Sequence, residues 1–88
     1  DIIIDKEKHI VLYKNLKVEL AKKEFKLLEF LTSKPGKVFT RQEILEHVWG
    51  LEVFVVDRTI DVHIRKLREK INSHYIKTVK GVGYKFEH

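Results

Sequence analysis

The chain contains no cysteine. That excludes a disulfide framework, a thiolate nucleophile and a zinc–thiolate centre, so packing must hold the fold. The absence fits a reducing cytosol. Long apolar runs are also missing: none approaches the roughly 20 residues that span a bilayer, and no secretory leader pattern opens the sequence. A membrane is therefore not an expected partner. His9, His47, His74 and His88 share no ligand spacing, which argues against a metal site, and no cofactor is expected. A Ser/His/Asp arrangement is lacking. The Gly-Val-Gly at 81–83 is no phosphate cradle, because no helix follows it. Catalysis has nothing to stand on, and the chain is not expected to be an enzyme. Internal repeats, low-complexity tracts and disordered linkers are absent as well.

What is present suits one small domain covering residues 1–88. Asp1 is not a natural start, so the chain reads as a piece of something longer. A chain of 88 residues buries roughly 60% of the surface its unfolded form exposes, and its core must be compact. The hydrophobic fraction of 43% is adequate for that. Eighteen Lys and Arg against 13 Asp and Glu leave a net charge of +5. A small basic domain favours polyanions, nucleic acid above all. Plain solubility would explain the same charge.

Three short β-branched or alternating runs come first: Ile2 to Ile4, His9 to Tyr13 and Leu16 to Leu20, with Asn15 as a turn residue between the last two. They predict three antiparallel strands. Lys22 to Ser33 then reads as a helix whose apolar residues, Phe25, Leu27, Leu28, Phe30 and Leu31, cover most of its circumference, so it is central. Its start is weakly marked, since Ala21 has no capping oxygen and Lys22 and Lys23 oppose the helix dipole. Pro35-Gly36 ends it. Val38-Phe39 is briefly extended. Thr40-Arg41-Gln42-Glu43 is a capping box, opening a helix that runs through Ile44, Leu45 and Val48 to about Trp49 before Gly50 stops it. Phe25, Leu28, Leu31, Leu45 and Val48 are assigned to the core.

The most informative stretch runs from Asp57, a cap residue, to Ile71. Read at 3.6 residues per turn, Ile60, Ile64, Leu67 and Ile71 form one stripe. The opposite face carries Arg58, Thr59, Val62, Arg65 and Lys66. One face can bury itself while the other presents cations around a small apolar side chain, a division that suits a helix lying in the DNA major groove. Asn72-Ser73 closes it. Residues 75–86 read as a β-hairpin, with Gly81 and Gly83 permitting positive φ in its turn. Two helices followed by a hairpin make a winged helix-turn-helix, although the link between the helices is longer than in the simple motif.

Four stretches then match one family in order and spacing. They are Glu24-Phe25-Lys26-Leu27-Leu28, Val48-Trp49-Gly50, Arg58 through Lys70, and Ile76-Lys77-Thr78-Val79-Lys80-Gly81-Val82-Gly83-Tyr84. The chain resembles the DNA-binding effector domain of OmpR/PhoB-type bacterial response regulators. The resemblance implies an α+β fold: a winged helix-turn-helix with an N-terminal four-stranded antiparallel sheet, three helices and a C-terminal hairpin wing. It implies sequence-specific binding of double-stranded DNA by the cytoplasmic output domain of a two-component transcriptional regulator. Recognition helix 58–72 would occupy the major groove and wing 76–86 the minor groove. A receiver domain phosphorylated on aspartate normally precedes the module and is absent here. Tandem self-association on DNA is thus implied for the parent protein. The linker before the recognition helix is known in the family as a loop that can touch RNA polymerase, here Leu51, Glu52, Val53, Phe54, Val55 and Val56.

Residue chemistry and resemblance together nominate the DNA contacts. Arg58, Arg65 and Arg68 are candidates for phosphates, which set register without reading sequence. For Arg68, near the buried stripe, a plain solvated charged face stands equal. Val62 can pack on a thymine methyl, Asp61 can accept from a cytosine amino group, and Lys66 can donate to guanine. Asp61 could instead pair with Arg65 at i, i+4. Thr59 serves a phosphate, a base or the helix start. His63 either meets a phosphate or packs as a neutral ring. Lys80 at the hairpin tip can enter a minor groove, with Thr78 and Tyr84 offering hydroxyls to phosphates. Core packing against Val79 is the alternative for Tyr84. Trp49 packs its ring in the core and offers its indole N–H to a phosphate, or is simply buried. Lys66 and Lys80 stand where the family has arginines thought to contact bases, and lysine lacks the planar fork for bidentate reading. Phe54 and Val56 either fold under their loop or face a partner.

Overall fold

The computed structural model describes residues 2–50 and 57–87, excepting the side chains of residues 57–59. The chain opens with β1 (Ile2–Asp5), β2 (Ile10–Tyr13) and β3 (Leu16–Val18), an antiparallel sheet in that order. Lys14 and Asn15 carry φ of 52° and 65° between β2 and β3. Positive φ at both central positions is what a type I′ hairpin turn requires, and it matches the twist of the strands it joins. Helix α1 (Lys22–Thr32) follows, then β4 (Phe39–Thr40), α2 (Arg41–Ile44) continued by a π turn (Leu45–Trp49), α3 (Asp57–Lys70), a 3-10 turn (Ser73–Tyr75), and β5 (Ile76–Val79) with β6 (Gly83–Phe86). Among the described residues no helix is long and apolar enough to cross a membrane.

The family resemblance implied four strands in the first sheet; three are found among the described residues. The remaining extended segment, β4, pairs instead with the hairpin, giving a second sheet ordered β4-β6-β5. Gly83 makes that pairing possible. A Cβ there would lie 1.9 Å from the Phe39 carbonyl oxygen, so only glycine lets β6 approach β4. Gly81, at φ +78°, is the glycine that serves the turn, and Gly83 lies outside the positive-φ region.

The predicted helix faces hold. Ile60, Ile64 and Leu67 of α3 are buried, as is Ile71 just beyond it. They pack with Phe25, Leu27, Leu28 and Leu31 of α1, Ile44 and Val48 of the second helix, and Tyr84 and Phe86 of the hairpin. Leu45, assigned to the centre, is only partly buried against it.

Two charged residues explain how α1 begins without a capping hydroxyl. Glu24 Oε1 accepts the Ala21 N–H at 3.0 Å, which is half of a capping box, and also the Lys70 ammonium at 2.7 Å. Burial pushes the Glu24 carboxyl upward in pKa, but the Lys70 bond, the Ala21 N–H and the Lys70 charge outweigh it, and the group sits below its ordinary range. Lys23, expected to oppose the α1 dipole, reaches elsewhere: its ammonium donates to the Val48 carbonyl at 2.9 Å, at the C-terminal end of the second helix, where a cation is favoured. That end is a π turn rather than continued α-helix, with the Gly50 N–H shared between the Leu45 and Glu46 carbonyls at 3.1 Å each. Thr40 and Glu43 form the complete capping box read from the sequence.

Candidate nucleic-acid interface

The buried stripe of α3 fixes which of its side chains look outward. Arg65 and Lys66 are exposed, and Asp61, Val62 and His63 are half-buried. The outward surface is therefore two cations one turn beyond a small apolar side chain. Arg58 and Thr59 lie on the first turn of α3, which begins at Asp57; the side chains of all three, Asp57 being the expected cap, lie outside the described residues, as do residues 51–56 altogether.

Trp49 and His63 form an edge-to-face pair at 5.1 Å and 83°. The π turn carries Trp49 to this position against the core rim, where it is partly buried. Lys23 lies 6.0 Å from its ring centroid. His63 is thus packed between the second helix and α3 rather than standing alone on the surface.

At the hairpin, the Val82 N–H closes the turn onto the Val79 carbonyl at 2.9 Å, leaving Lys80 exposed at the tip beside Gly81 and Val82. Thr78 is exposed on β5.

Four nominated residues, Asp61, Arg68, Thr78 and Tyr84, have hydrogen-bond partners within the protein. The Arg68 guanidinium donates to the Ile76 carbonyl (2.8 Å from Nη2, 3.2 Å from Nε) and to the Thr78 hydroxyl at 2.7 Å. Tyr84 is buried, and its hydroxyl donates to Asp61 Oδ1. That same oxygen accepts Arg41 Nε at 3.3 Å and Nη2 at 3.2 Å. Asp61 is therefore paired with Arg41 of α2, 20 positions away, and not with Arg65 one turn on. Burial and then the Asp61 bond and charge raise the Tyr84 pKa, against the smaller opposing effect of Arg41. Burial works against the Arg41 charge, but the Asp61 carboxylate more than restores it and raises the Arg41 pKa.

Arg41 was missed by sequence reasoning. From the sequence it is only the first residue inside a capping box, and no local pattern reports a contact to residue 61 or 84. The Glu24–Lys70 pair was missed for the same reason, being 46 positions apart. Among the described residues no cluster of His, Cys, Asp or Glu could hold a metal.

A family model described as "Transcriptional regulatory protein, C terminal" matches residues 15–86. The phosphate regulon transcriptional regulatory protein PhoB of Rhizobium meliloti is 45% identical over 91 residues, covering 99% of this chain and 40% of that protein. This chain thus spans about two-fifths of the relative's length. Among solved structures, the response regulator DrrB, an OmpR/PhoB homolog of Thermotoga maritima, superposes with a TM-score of 0.92 at 40% identity, over 100% of this chain and 42% of that one. The DNA-binding domain of the response regulator AdeR, solved in complex with an intercistronic region, gives 0.87 at 33% identity over 99% and 94%.

Proposed function

The chain belongs to the OmpR/PhoB-type family of transcriptional regulatory C-terminal domains, and from that premise we propose that it binds double-stranded DNA sequence-specifically as the output unit of a two-component regulator. One observation carries the reading: Arg65 and Lys66 stand in water beside half-exposed Val62, on the side of α3 opposite its buried stripe. In the major groove this face sets Arg65 on phosphate, Lys66 on guanine and Val62 on a thymine methyl. Lys80 at the hairpin tip enters the adjoining minor groove. Arg58 and Thr59 join the phosphate contacts on the strength of the family match. Trp49 and His63, packed on each other at the rim, offer ring N–H groups to the backbone.

Asp61, Arg68, Thr78 and Tyr84 take a different weight. Their polar atoms already have protein partners, so we assign them first to holding the interface and only second to touching DNA. The unit proposed is residues 1–88, acting by binding and not by catalysis, in the cytoplasm of a bacterium. Polymerase contact through 51–56 and tandem self-association on DNA belong to the proposal for the parent protein.

Selection of bound sites from a random duplex pool tests this directly. The expected result is an enriched motif, with a slope of log K against log salt near −5 for about six neutralised phosphates. Equal affinity for all duplexes would remove the specificity, and no association at low ionic strength would remove the function.

A further inference from the structure

The hairpin is fastened to α3 at two points. Asp61 takes the Tyr84 hydroxyl of β6, and Arg68 takes the Ile76 carbonyl and Thr78 hydroxyl of β5. These two residues are seven apart, two turns of helix, so the fastenings lie about 10 Å apart along the axis. The β4–β6 pairing and the apolar core hold the base of the hairpin, and a single polar link would constrain only one of its strands against the helix. Two, one on each strand, fix its angle to the helix. Arg41 steadies the first through Asp61 Oδ1, and both guanidinium groups contact the Tyr84 ring, Arg41 at 5.3 Å and Arg68 at 5.7 Å.

The Arg41–Asp61 pair contributes little to fold stability. The Asp61 and Arg41 side chains are 46% and 30% exposed, and ion pairs this wet add little to stability. The apolar core already joins the hairpin to the helices through Ile76, Tyr84 and Phe86. What the polar links add is direction. A guanidinium fork and a shared carboxylate oxygen are angle-sensitive, whereas apolar contact is not.

We propose that Arg68, Tyr84, Asp61 and Arg41 are positioning residues that lock the hairpin to the third helix, setting the distance between the major-groove and minor-groove contacts and so the length of site accepted. This rests on the DNA-binding reading above. Arg68 in this role works inward on the hairpin rather than outward on phosphate.

The test is a double-mutant cycle on the selected duplex. Lys80→Ala is measured in the wild-type chain and in an Arg68→Lys/Tyr84→Phe background. That background keeps the charge at 68 and the ring at 84 but removes the fork and the hydroxyl. A fixed hairpin predicts that Lys80→Ala weakens binding about tenfold in wild type and less than about twofold in the altered background, because contacts that act as a unit do not add. Methylation interference at guanine N7, unchanged in the altered background, shows that α3 stays docked. Tyr84→Phe alone preserves the ring contacts and gives an intermediate value, which keeps the comparison available should the double variant not fold. Equal losses from Lys80→Ala in all backgrounds, including no loss in any, overturn the proposal while leaving DNA binding intact. Absence of duplex binding by the wild-type chain overturns both.

Discussion

Gly83 and Phe39 sit closer than any side chain would allow: a Cβ on Gly83 would fall 1.9 Å from the Phe39 carbonyl oxygen and 2.9 Å from its carbon. The obstacle is backbone within a paired strand, so it cannot swing aside. Gly83→Ala should therefore destabilise by about 3 kcal/mol, at the upper end of overpacking effects. Gly81→Ala meets open space but a φ of +78°, and should lose only about 1 kcal/mol. Urea unfolding of the two variants checks the order. If Gly81→Ala proves the worse, the β4–β6 approach is looser than described.

Ala21 adopts an extended N-cap conformation, φ −65° and ψ 158°, with the Glu24 carboxylate already on its N–H. Only the hydroxyl half of the capping box is missing, and Thr40 with Glu43 shows the complete form in the same chain. Ala21→Thr should raise stability by about 1 kcal/mol. An unchanged melting temperature would mean that the Glu24 bond already satisfies this helix end.

These two positions show where sequence is legible and where it stops. The α3 stripe, the Lys14-Asn15 turn and the Thr40 box are periodic or local, and each was readable because neighbours in sequence are neighbours in space. Gly83 stands out in the sequence as a turn residue but serves strand approach instead, since turn φ is a local property and strand approach is not. Asp61 had an available i, i+4 partner in Arg65, and the observed Arg41 pairing depends on how α2 crosses α3. Arg68 reads as a surface cation from the helix alone; the carbonyl it holds belongs to a strand placed by the core. The outward face of α3 was legible, whereas the polar links orienting the hairpin were not.

Glu24 makes stability depend on acid pH. Its folded pKa lies below the ordinary value of 4.5 despite burial, which acts the other way, because Lys70 and the Ala21 N–H favour the carboxylate. A depressed folded pKa gives stability that is present above the ordinary value and lost as pH falls through the folded one. Glu24→Gln should remove part of the stability slope below about pH 4.5 and lower stability near neutrality by about 2 kcal/mol, the scale of a charge-assisted hydrogen bond. Unfolding curves from pH 7 to 3 measure both. Parallel curves for the variant and wild type would detach the ion pair from the acid limb.

Tyr84 acts at the other end of the scale. Burial, and after it the Asp61 carboxylate, hold its pKa above the ordinary value of 10. For a raised pKa the sign reverses: the contribution is complete below pH 10 and disappears as pH rises through the folded value. Phenolate absorbance should show an ionisation displaced above pH 10, and Tyr84→Phe should abolish that step. Tyr84→Phe should also unfold with a shallower alkaline slope than wild type. A displaced step that survives the substitution would detach it from Tyr84.

Lys66 is the position where a change should improve the protein as a reader of DNA. Its side chain is exposed on the outward face of α3, next to Arg65 and one turn beyond Val62. An ammonium meets guanine as a point charge, while a guanidinium meets O6 and N7 together. Lys66→Arg adds no charge, so the salt slope should stay where it was. Discrimination for guanine at the matching base pair should rise by about 1 kcal/mol, toward the range of a bidentate pair. Binding to the selected site and to single-base variants, at one fixed salt concentration, gives the comparison. A gain spread evenly over every sequence would place residue 66 on phosphate and leave Val62 as the base-reading side chain of that turn.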